Sequence, residues 1–241
     1  MNGFALSDIT DEQIRIMAAQ IQTNGFVCLP GFFTPEEVNE AGAQALAITE
    51  EANWEYTGRE GSGAFSGAIL EELTSREEFS QLCHRLCHYQ GIRLRDPSTK
   101  QVLRCLTGKS GLKHCFYFHY DSFELTALVP ILIPSQEPSG ELFMFPNARA
   151  RRRSYLVNMI EKFLLERRGA QTRAKKRASS DSLRLKLQPG NIYFFNGNRT
   201  LHANGEIDPR FIRATMVVHF AETYHDHWIR KLRRGVSSLR A

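Results

Sequence analysis

The chain has 241 residues, 42% hydrophobic and 24% charged, with a formal net charge of +5. A chain of this length buries most of its apolar surface without staples, and its ordinary apolar content excludes global disorder. No apolar run reaches the roughly 20 residues of a membrane-spanning helix. The opening MNGFALSDITDEQ lacks a basic segment followed by an apolar core, so no signal peptide and no membrane contact are expected, and the location expected is cytoplasmic.

In chain order, Asp8 and the acidic turn Thr10–Glu12 precede Ile14, Met17 and Ile21 at helical spacing, which predicts an amphipathic helix over 8–23. FVCLP follows as a short strand. Thr34-Pro35-Glu36-Glu37 is a helix start: a hydroxyl cap, proline in the first turn and carboxylates at the positive end of the dipole. That helix is expected to run to about Glu51. Residues 52–67, with Trp54, Tyr56 and four glycines, read as a loop that could close over a ligand. REEFSQLCHRLCHYQ (76–90) reads as a helix.

From about residue 101 the pattern changes to VLRCL, HCFYFH, ELTALVPILI, ELFMF, LRLKL, NIYFF and RATMVVHF, separated by Gly, Pro, Asn and Ser. Helices followed by short strands predict a mainly β fold, an antiparallel sandwich or barrel with helices packed on one face, as a single domain over residues 1–241. Residues 150–182 interrupt the strands. There SYLVNMIEKFLLERR predicts a helix with Leu156, Ile160, Phe163 and Leu164 on one face, and QTRAKKRASSDS reads as mobile and polar. Between Arg149 and Lys186 there are 13 Lys/Arg against 3 Asp/Glu, an excess of +10 that leaves the rest of the chain at about −5. The five cysteines (28, 83, 87, 105 and 115) are scattered and odd in number, which points to reduced thiols. Cys83 and Cys87 lack the second pair of a zinc site.

The chemistry centres on FHYD. His119 and Asp121 stand at i and i+2, so at a strand end both would face one ion. A third ligand, His202, sits in NRTLHANG after the apolar NIYFF. Two imidazoles and one carboxylate form a facial triad that leaves positions on Fe(II) for a bidentate co-substrate and O2. Arg213 follows eleven residues later, where its guanidinium could take the distal carboxylate of 2-oxoglutarate in a two-pronged bridge. Thr215 faces the same way.

These segments resemble the phytanoyl-CoA dioxygenase-like branch of the Fe(II)/2-oxoglutarate oxygenases. GFVCLPGFFTPEEV is similar to that family's N-terminal strand and helix start, FHYDSF to its metal motif, and SGELFMFPNARARR to its Gly-x-Leu…Pro-Gly-Ser-His segment. LQPGNIYFFNGNRTLHANGEIDPRFIRAT is similar to its stretch from the distal His to the co-substrate Arg. The resemblance implies a double-stranded β-helix, a jelly-roll like that of cupins, with N-terminal helices on one sheet. It implies iron on His119, Asp121 and His202, and 2-oxoglutarate on Arg213 and Thr215. A further co-substrate contact upstream of the metal motif is left to Arg104, Lys113 or Tyr117. Pro146-Asn147-Ala148-Arg149 departs from the family's Pro-Gly-Ser-His, and the basic 150–182 segment is an addition. Asp121 stands where halogenating relatives carry Gly or Ala, which favours hydroxylation.

The implied activity is oxidation of an unactivated C–H bond of a small molecule with release of succinate and CO2. An amino acid, a natural-product intermediate or a carrier-bound acyl group fits. The rivals are an oxygenase acting on nucleic acid or protein, and a barrel that binds a ligand without turnover. The basic segment reads either as a solvated charged face or as a site for an anion; nucleic acid is disfavoured because aromatics for base stacking are not interleaved. His84 and His88 lack an acidic partner and read as structural, as does His114. His225-Asp226-His227 mimics a metal motif within an expected C-terminal helix. Trp54, Tyr56 and Phe123 either line the substrate pocket or are ordinary core aromatics.

Overall fold

A computed structural model of the chain describes residues 6, 9–61, 73, 76–94, 98–152 and 154–223. Three helices precede most of the sheet. α1 (Asp11–Thr23) and α2 (Pro35–Glu51) each start in a capping box. Gln13 N donates to Thr10 Oγ1 at 3.2 Å while Thr10 N donates to Gln13 Oε1 at 2.8 Å. Glu37 and Thr34 repeat the pattern at 3.2 and 2.7 Å. α3 (Glu77–Tyr89) buries Phe79, Leu82, Cys83, Leu86 and Cys87 at helical spacing. All five cysteines are free thiols, and burial pushes Cys87 up to about 12.

The strands are β1 (Phe26–Leu29), β2 (Thr57–Glu60), β3 (Thr99–Leu106), β4 (Phe123–Leu132), β5 (Leu142–Phe145), β6 (Leu183–Leu185), β7 (Ile192–Phe195), β8 (Leu201–Asn204) and β9 (Arg213–Glu222). They form a six-stranded sheet, β1-β7-β4-β9-β3-β2, and a three-stranded sheet, β6-β5-β8, with every pair antiparallel. This is the expected mainly β jelly-roll with flanking helices.

Alternation along the strands sorts the side chains. On β9, Ala214, Met216, Val218 and Phe220 join Leu125, Ala127 and Val129 of β4 and Phe194 of β7 in the core that α1, α2 and α3 cover. The opposite parity, Arg213, Thr215, Val217 and His219, turns to the other sheet. There Leu128, Tyr193 and Phe195 meet Leu142 and Met144 of β5. Both faces of the large sheet are therefore buried, and β7 and β9 are buried along almost their whole length.

Three expectations need correction. The loop expected over 52–67 contains β2, which pairs with β3 from Thr57↔Cys105 to Glu60↔Val102; its Arg59 makes an ion pair with Glu51. Residues 62–67 lie outside the described part, as does His225-Asp226-His227. HCFYFH is no strand. His114 ends a 3-10 turn, Phe116 takes a positive φ of 54°, and only isolated bridges tie Cys115 to Asn204 and His119 to His202. Phe118 finds its partner in a side chain instead of a strand. The Gln171 amide accepts from Phe118 N at 2.8 Å and donates to Phe118 O at 2.9 Å.

Gln171 belongs to the third correction. The polar stretch after residue 167 is a helix, α5 (Arg168–Asp181), which follows α4 (Tyr155–Glu166) directly. Ala174 and Ala178 set α5 against Phe118, Phe143, Phe145 and Ala203 on the outer face of the small sheet. Lys175, Arg177 and Arg184 lie over the rings of Phe116, Phe145 and Phe143 at 4.0, 4.8 and 5.2 Å. Part of the basic segment therefore covers aromatic surface.

Candidate metal centre

His119 and His202 exchange backbone hydrogen bonds, His119 N to His202 O at 3.0 Å and His202 N to His119 O at 3.1 Å. This places their rings 4.4 Å apart. Asp121 N donates to Gly197 O at 2.9 Å, which brings the carboxylate beneath both rings. Asp121 Oδ1 stands 3.8 Å from His119 Nε2 and 3.7 Å from His202 Nε2. Ligand atoms of the three side chains lie within 4.8 Å of one another, the one such group among the described residues. His119 and Asp121 thus converge as the sequence suggested. The cause is a bridge to β8 on one side and a contact with Gly197 on the other, because no strand runs through them.

Both imidazoles are oriented from behind. His119 Nδ1 lies 3.0 Å from Tyr117 O, and His202 Nδ1 lies 2.9 Å from Thr200 O. A carbonyl only accepts, so each Nδ1 carries the proton and each Nε2 offers its lone pair to the centre. Burial pushes His119 down, with the neighbouring His202 adding to it, to about 3. Burial alone would raise Asp121, but His219, His202, His119 and the Thr126 hydroxyl together hold it well below the usual carboxylate range. Neutral imidazoles and an ionised carboxylate are the forms that coordinate a metal.

The second oxygen of Asp121 has its own support. Thr126 Oγ1 donates to Asp121 Oδ2 at 2.7 Å and lies 3.3 Å from His219 Nδ1. His219 in turn stacks on Phe123 with ring centroids 5.1 Å apart. The approach is close: a Cβ on Gly197 would fall 2.2 Å from Asp121 Oδ2 and 2.3 Å from Thr126 Oγ1.

The triad opens on a cavity between the two sheets. Its polar wall includes Arg104, Thr126, Asn204, Thr215 and His219, and its apolar wall includes Leu128, Leu142, Phe195 and Val217. The free volume is about 30 Å³, enough to admit water. Arg213 lies behind this wall at 1% exposure. Its Nε donates to Gly140 O at 2.8 Å and its Nη1 to Thr215 Oγ1 at 3.4 Å, while its Nη2 is buried without a partner. Burial lowers its pKa to about 10. Gly140, at a positive φ of 75°, makes room for the guanidinium: a Cβ there would fall 2.4 Å from Arg213 Cδ.

Arg104, Lys113 and Tyr117 separate. Arg104 pairs in register with Thr215, reaches the cavity and has a buried, unpartnered Nε. Lys113 is exposed on the 3-10 turn, and Tyr117 is exposed and stacked on His119 with centroids 5.9 Å apart. Trp54, Tyr56 and Phe123 do not line the cavity. Trp54 is 51% exposed, Tyr56 stacks on His114 at 3.6 Å, and Phe123 is buried against His219. His84 packs edge-on against Phe220 and His88 against Tyr89. Sequence reasoning passed over His219, Thr126, Gly197 and Gly140. A signal existed for His219, which stands six places after Arg213 on one strand and so shares its face.

No protein-family model and no curated protein matches the chain. Solved structures do. The non-heme α-ketoglutarate-dependent carbocyclase SnoK from nogalamycin biosynthesis superposes with a TM-score of 0.59 at 14% identity, covering 92% of this chain and 88% of its own. A Pseudomonas putida prolyl-4-hydroxylase gives 0.54 at 13% identity, covering 87% and 98%. The epimerase SnoN, solved with Fe3+, α-ketoglutarate and nogalamycin RO, gives 0.53 at 18%, covering 88% and 85%. The similarity is one of fold along nearly the whole length of these proteins.

Proposed function

We propose that the protein is an Fe(II)- and 2-oxoglutarate-dependent oxygenase that oxidises, most simply hydroxylates, a C–H bond of a small molecule. The observation that carries this reading is the fully buried guanidinium of Arg213, with Nη2 unpartnered, on the same inner face as a His-Asp-His group. A buried cation missing an anion is costly, and a dicarboxylate that reaches the metal with one end satisfies Arg213 with the other. The resemblance of the motifs to phytanoyl-CoA dioxygenase-like oxygenases supports the same assignment, as does the likeness in fold to SnoK and SnoN.

The donor set fits iron. Two neutral imidazoles and one carboxylate suit Fe(II) and leave one side of it open. When bound, iron and 2-oxoglutarate supply the oxidation by O2, with succinate and CO2 as co-products. The chain does the rest. Tyr117 O and Thr200 O fix the ring tautomers. Thr126 holds Asp121 Oδ2 so that Oδ1 faces the centre. Arg213 and Thr215 take the distal carboxylate. Arg104, adjacent to Thr215, supplies a second positive group at the cavity. Leu128, Leu142, Phe195 and Val217 form an apolar wall beside the triad, and away from bulk water the charges that orient the co-substrate act more strongly. Asp121 would serve as the third iron ligand, and with a carboxylate at this place oxygenation is the outcome assigned.

The test is an anaerobic titration of metal-free protein with Fe(II) and 2-oxoglutarate. A weak visible metal-to-ligand charge-transfer band that His119→Ala abolishes supports the assignment. No band and no affinity for either component would leave a ligand-binding barrel. Succinate formation stimulated by an oligonucleotide or peptide, and not by small molecules, would move the substrate class.

A further inference from the structure

α4 is mounted the opposite way round from an ordinary surface helix. Its inward face carries Tyr155 and a set of polar groups. Asn158 is buried, and Glu161 and Lys162 are partly buried. Arg149 donates to Asn158 Oδ1 at 2.8 Å and to Glu161 Oε2 at 2.7 Å, and Lys162 Nζ donates to Ser122 Oγ at 2.8 Å. Its outward face is apolar: Leu156, Val157, Met159, Ile160, Phe163 and Leu164 are exposed, Ile160 at 56% and Phe163 at 61%. Six large apolar side chains on one ridge mark a contact surface rather than the scatter of a normal exterior.

The surroundings define what that contact can be. Arg167 lays its guanidinium over the Phe163 ring at 5.2 Å. α5 then presents exposed Arg168, Arg173, Lys175, Lys176 and Arg177 against one acid, Asp181. Beyond Thr223 the sequence carries five more Lys/Arg against one Asp. Thr223 N donates to Ser122 O at 3.0 Å, so the last described residue lies beside the one that Lys162 holds. Covering the ridge with the segment beyond Thr223, or with a second copy of the helix pair, would bring like charges together. The ridge is mostly aliphatic, with Phe163 its one aromatic ring, unlike a base-stacking surface.

We propose that α4 and α5 form a docking surface for an anionic lipid bilayer, with the apolar ridge of α4 in the headgroup boundary and the basic residues of α5 on the lipid phosphates. An apolar ridge flanked by Lys and Arg is the pattern of an interfacial helix. The surface adjoins the candidate metal centre. Gln171 of α5 brackets Phe118, one residue before His119, and Lys162 of α4 holds Ser122, one residue after Asp121. Docking would set the cavity beside the bilayer, where a lipophilic substrate resides.

The test is co-sedimentation of the full chain with vesicles of phosphatidylcholine mixed with phosphatidylglycerol, and with vesicles of phosphatidylcholine alone. Binding to the mixed vesicles that weakens with added salt is expected, with little binding to neutral ones. The double substitution Ile160→Glu and Phe163→Glu should weaken it by roughly tenfold or more, and Arg168→Glu with Lys176→Glu by at least about tenfold. Unchanged melting of both variants confirms that they fold. No sedimentation with mixed vesicles overturns the proposal, as does sedimentation indifferent to Ile160 and Phe163. So does a concentration-dependent dimer that Ile160→Glu dissolves, or capture by a purified acidic carrier protein in place of vesicles. Sedimentation needs no metal, so binding without a charge-transfer band would sink the oxygenase reading and leave this one standing.

Discussion

Each oxygen of Asp121 meets different neighbours. Oδ1 faces His119 and His202, and Oδ2 is held by Thr126. Thr126→Val keeps the shape and removes the donor, so Fe(II) affinity should fall about 10- to 100-fold; calorimetric titration of the metal-free protein with Fe(II) under nitrogen checks this. Gly197→Ala attacks the same contact sterically, because its Cβ would lie 2.2 Å from Oδ2. At Arg213 the expected effect moves to the co-substrate. Arg213→Ala should bind Fe(II) normally and lose roughly 2–5 kcal/mol of 2-oxoglutarate binding, and 2-oxoglutarate should raise the melting temperature of the iron-loaded wild type alone. A variant that keeps the wild-type affinity would remove Arg213 from the site. The residues offering metal donors and the buried cation were legible because they carry charge or lone pairs at short, telling separations. Thr126, Gly197 and Gly140 were not. Their roles depend on approaches between distant parts of the chain, and a threonine in FELTALVP looks like any strand residue.

At the scale of elements, the short segment 117–122 carries two of the three donors yet has almost no ladder of its own. It is held by β8 through the His119–His202 bridge and by Gln171 through Phe118. α4 and α5 are therefore supports of the candidate metal centre. Arg149 ties α4 down through Asn158, Glu161 and Asn198 O, with its guanidinium 3.8 Å over the ring of Tyr120. Arg149→Ala takes the donor from Asn158 Oδ1 and Asn198 O, while Glu161 keeps Arg152 at 2.9 Å, and should destabilise the helix pair by about 1–3 kcal/mol. Hydrogen exchange checks it: amides of 155–181 should lose protection while those of β4 and β9 keep theirs. Arg149 is thus the anchor of the helix pair. α5 was hidden because its pattern is polar almost all round. Its helical signal was only alanine at 170, 174 and 178, a good helix former at a spacing of four. The aromatic surface that those alanines pack on lies far away in sequence. α4 was legible as a helix, but not the direction of its apolar face, since Leu156, Ile160, Phe163 and Leu164 fit a core-facing stripe equally well.

Over the whole molecule, the two-residue alternation of β4, β7 and β9 sends one set of side chains to α1, α2 and α3 and the other into the space between the sheets. The strands were visible as apolar runs; their assignment to two sheets was not, because order and register are set by pairings as distant in sequence as Phe26↔Phe195. That architecture buries His202, His219 and Asp121 with a half-buried His119 beside them, without salt bridges to surface groups, which gives stability a definite pH dependence. His119 and His219 lie below the ordinary histidine value of 6.5, His119 at about 3, chiefly through burial. Asp121 is lowered as well. Each of these groups binds fewer protons folded than unfolded at acid pH, so stability rises with pH there. The histidine contribution is complete above 6.5 and is lost as pH falls from 6.5 toward 3; Asp121 adds its loss below the unfolded carboxylate value of 3.8. Urea midpoints of chelator-treated protein should therefore fall steadily from neutral pH into the acid range. His119→Gln removes one titrating group and should flatten that slope, most of all between 6.5 and about 3. An unchanged slope in His119→Gln would mean that the imidazole is solvated and protonates freely in the folded chain, and the closed arrangement of the centre would then be wrong.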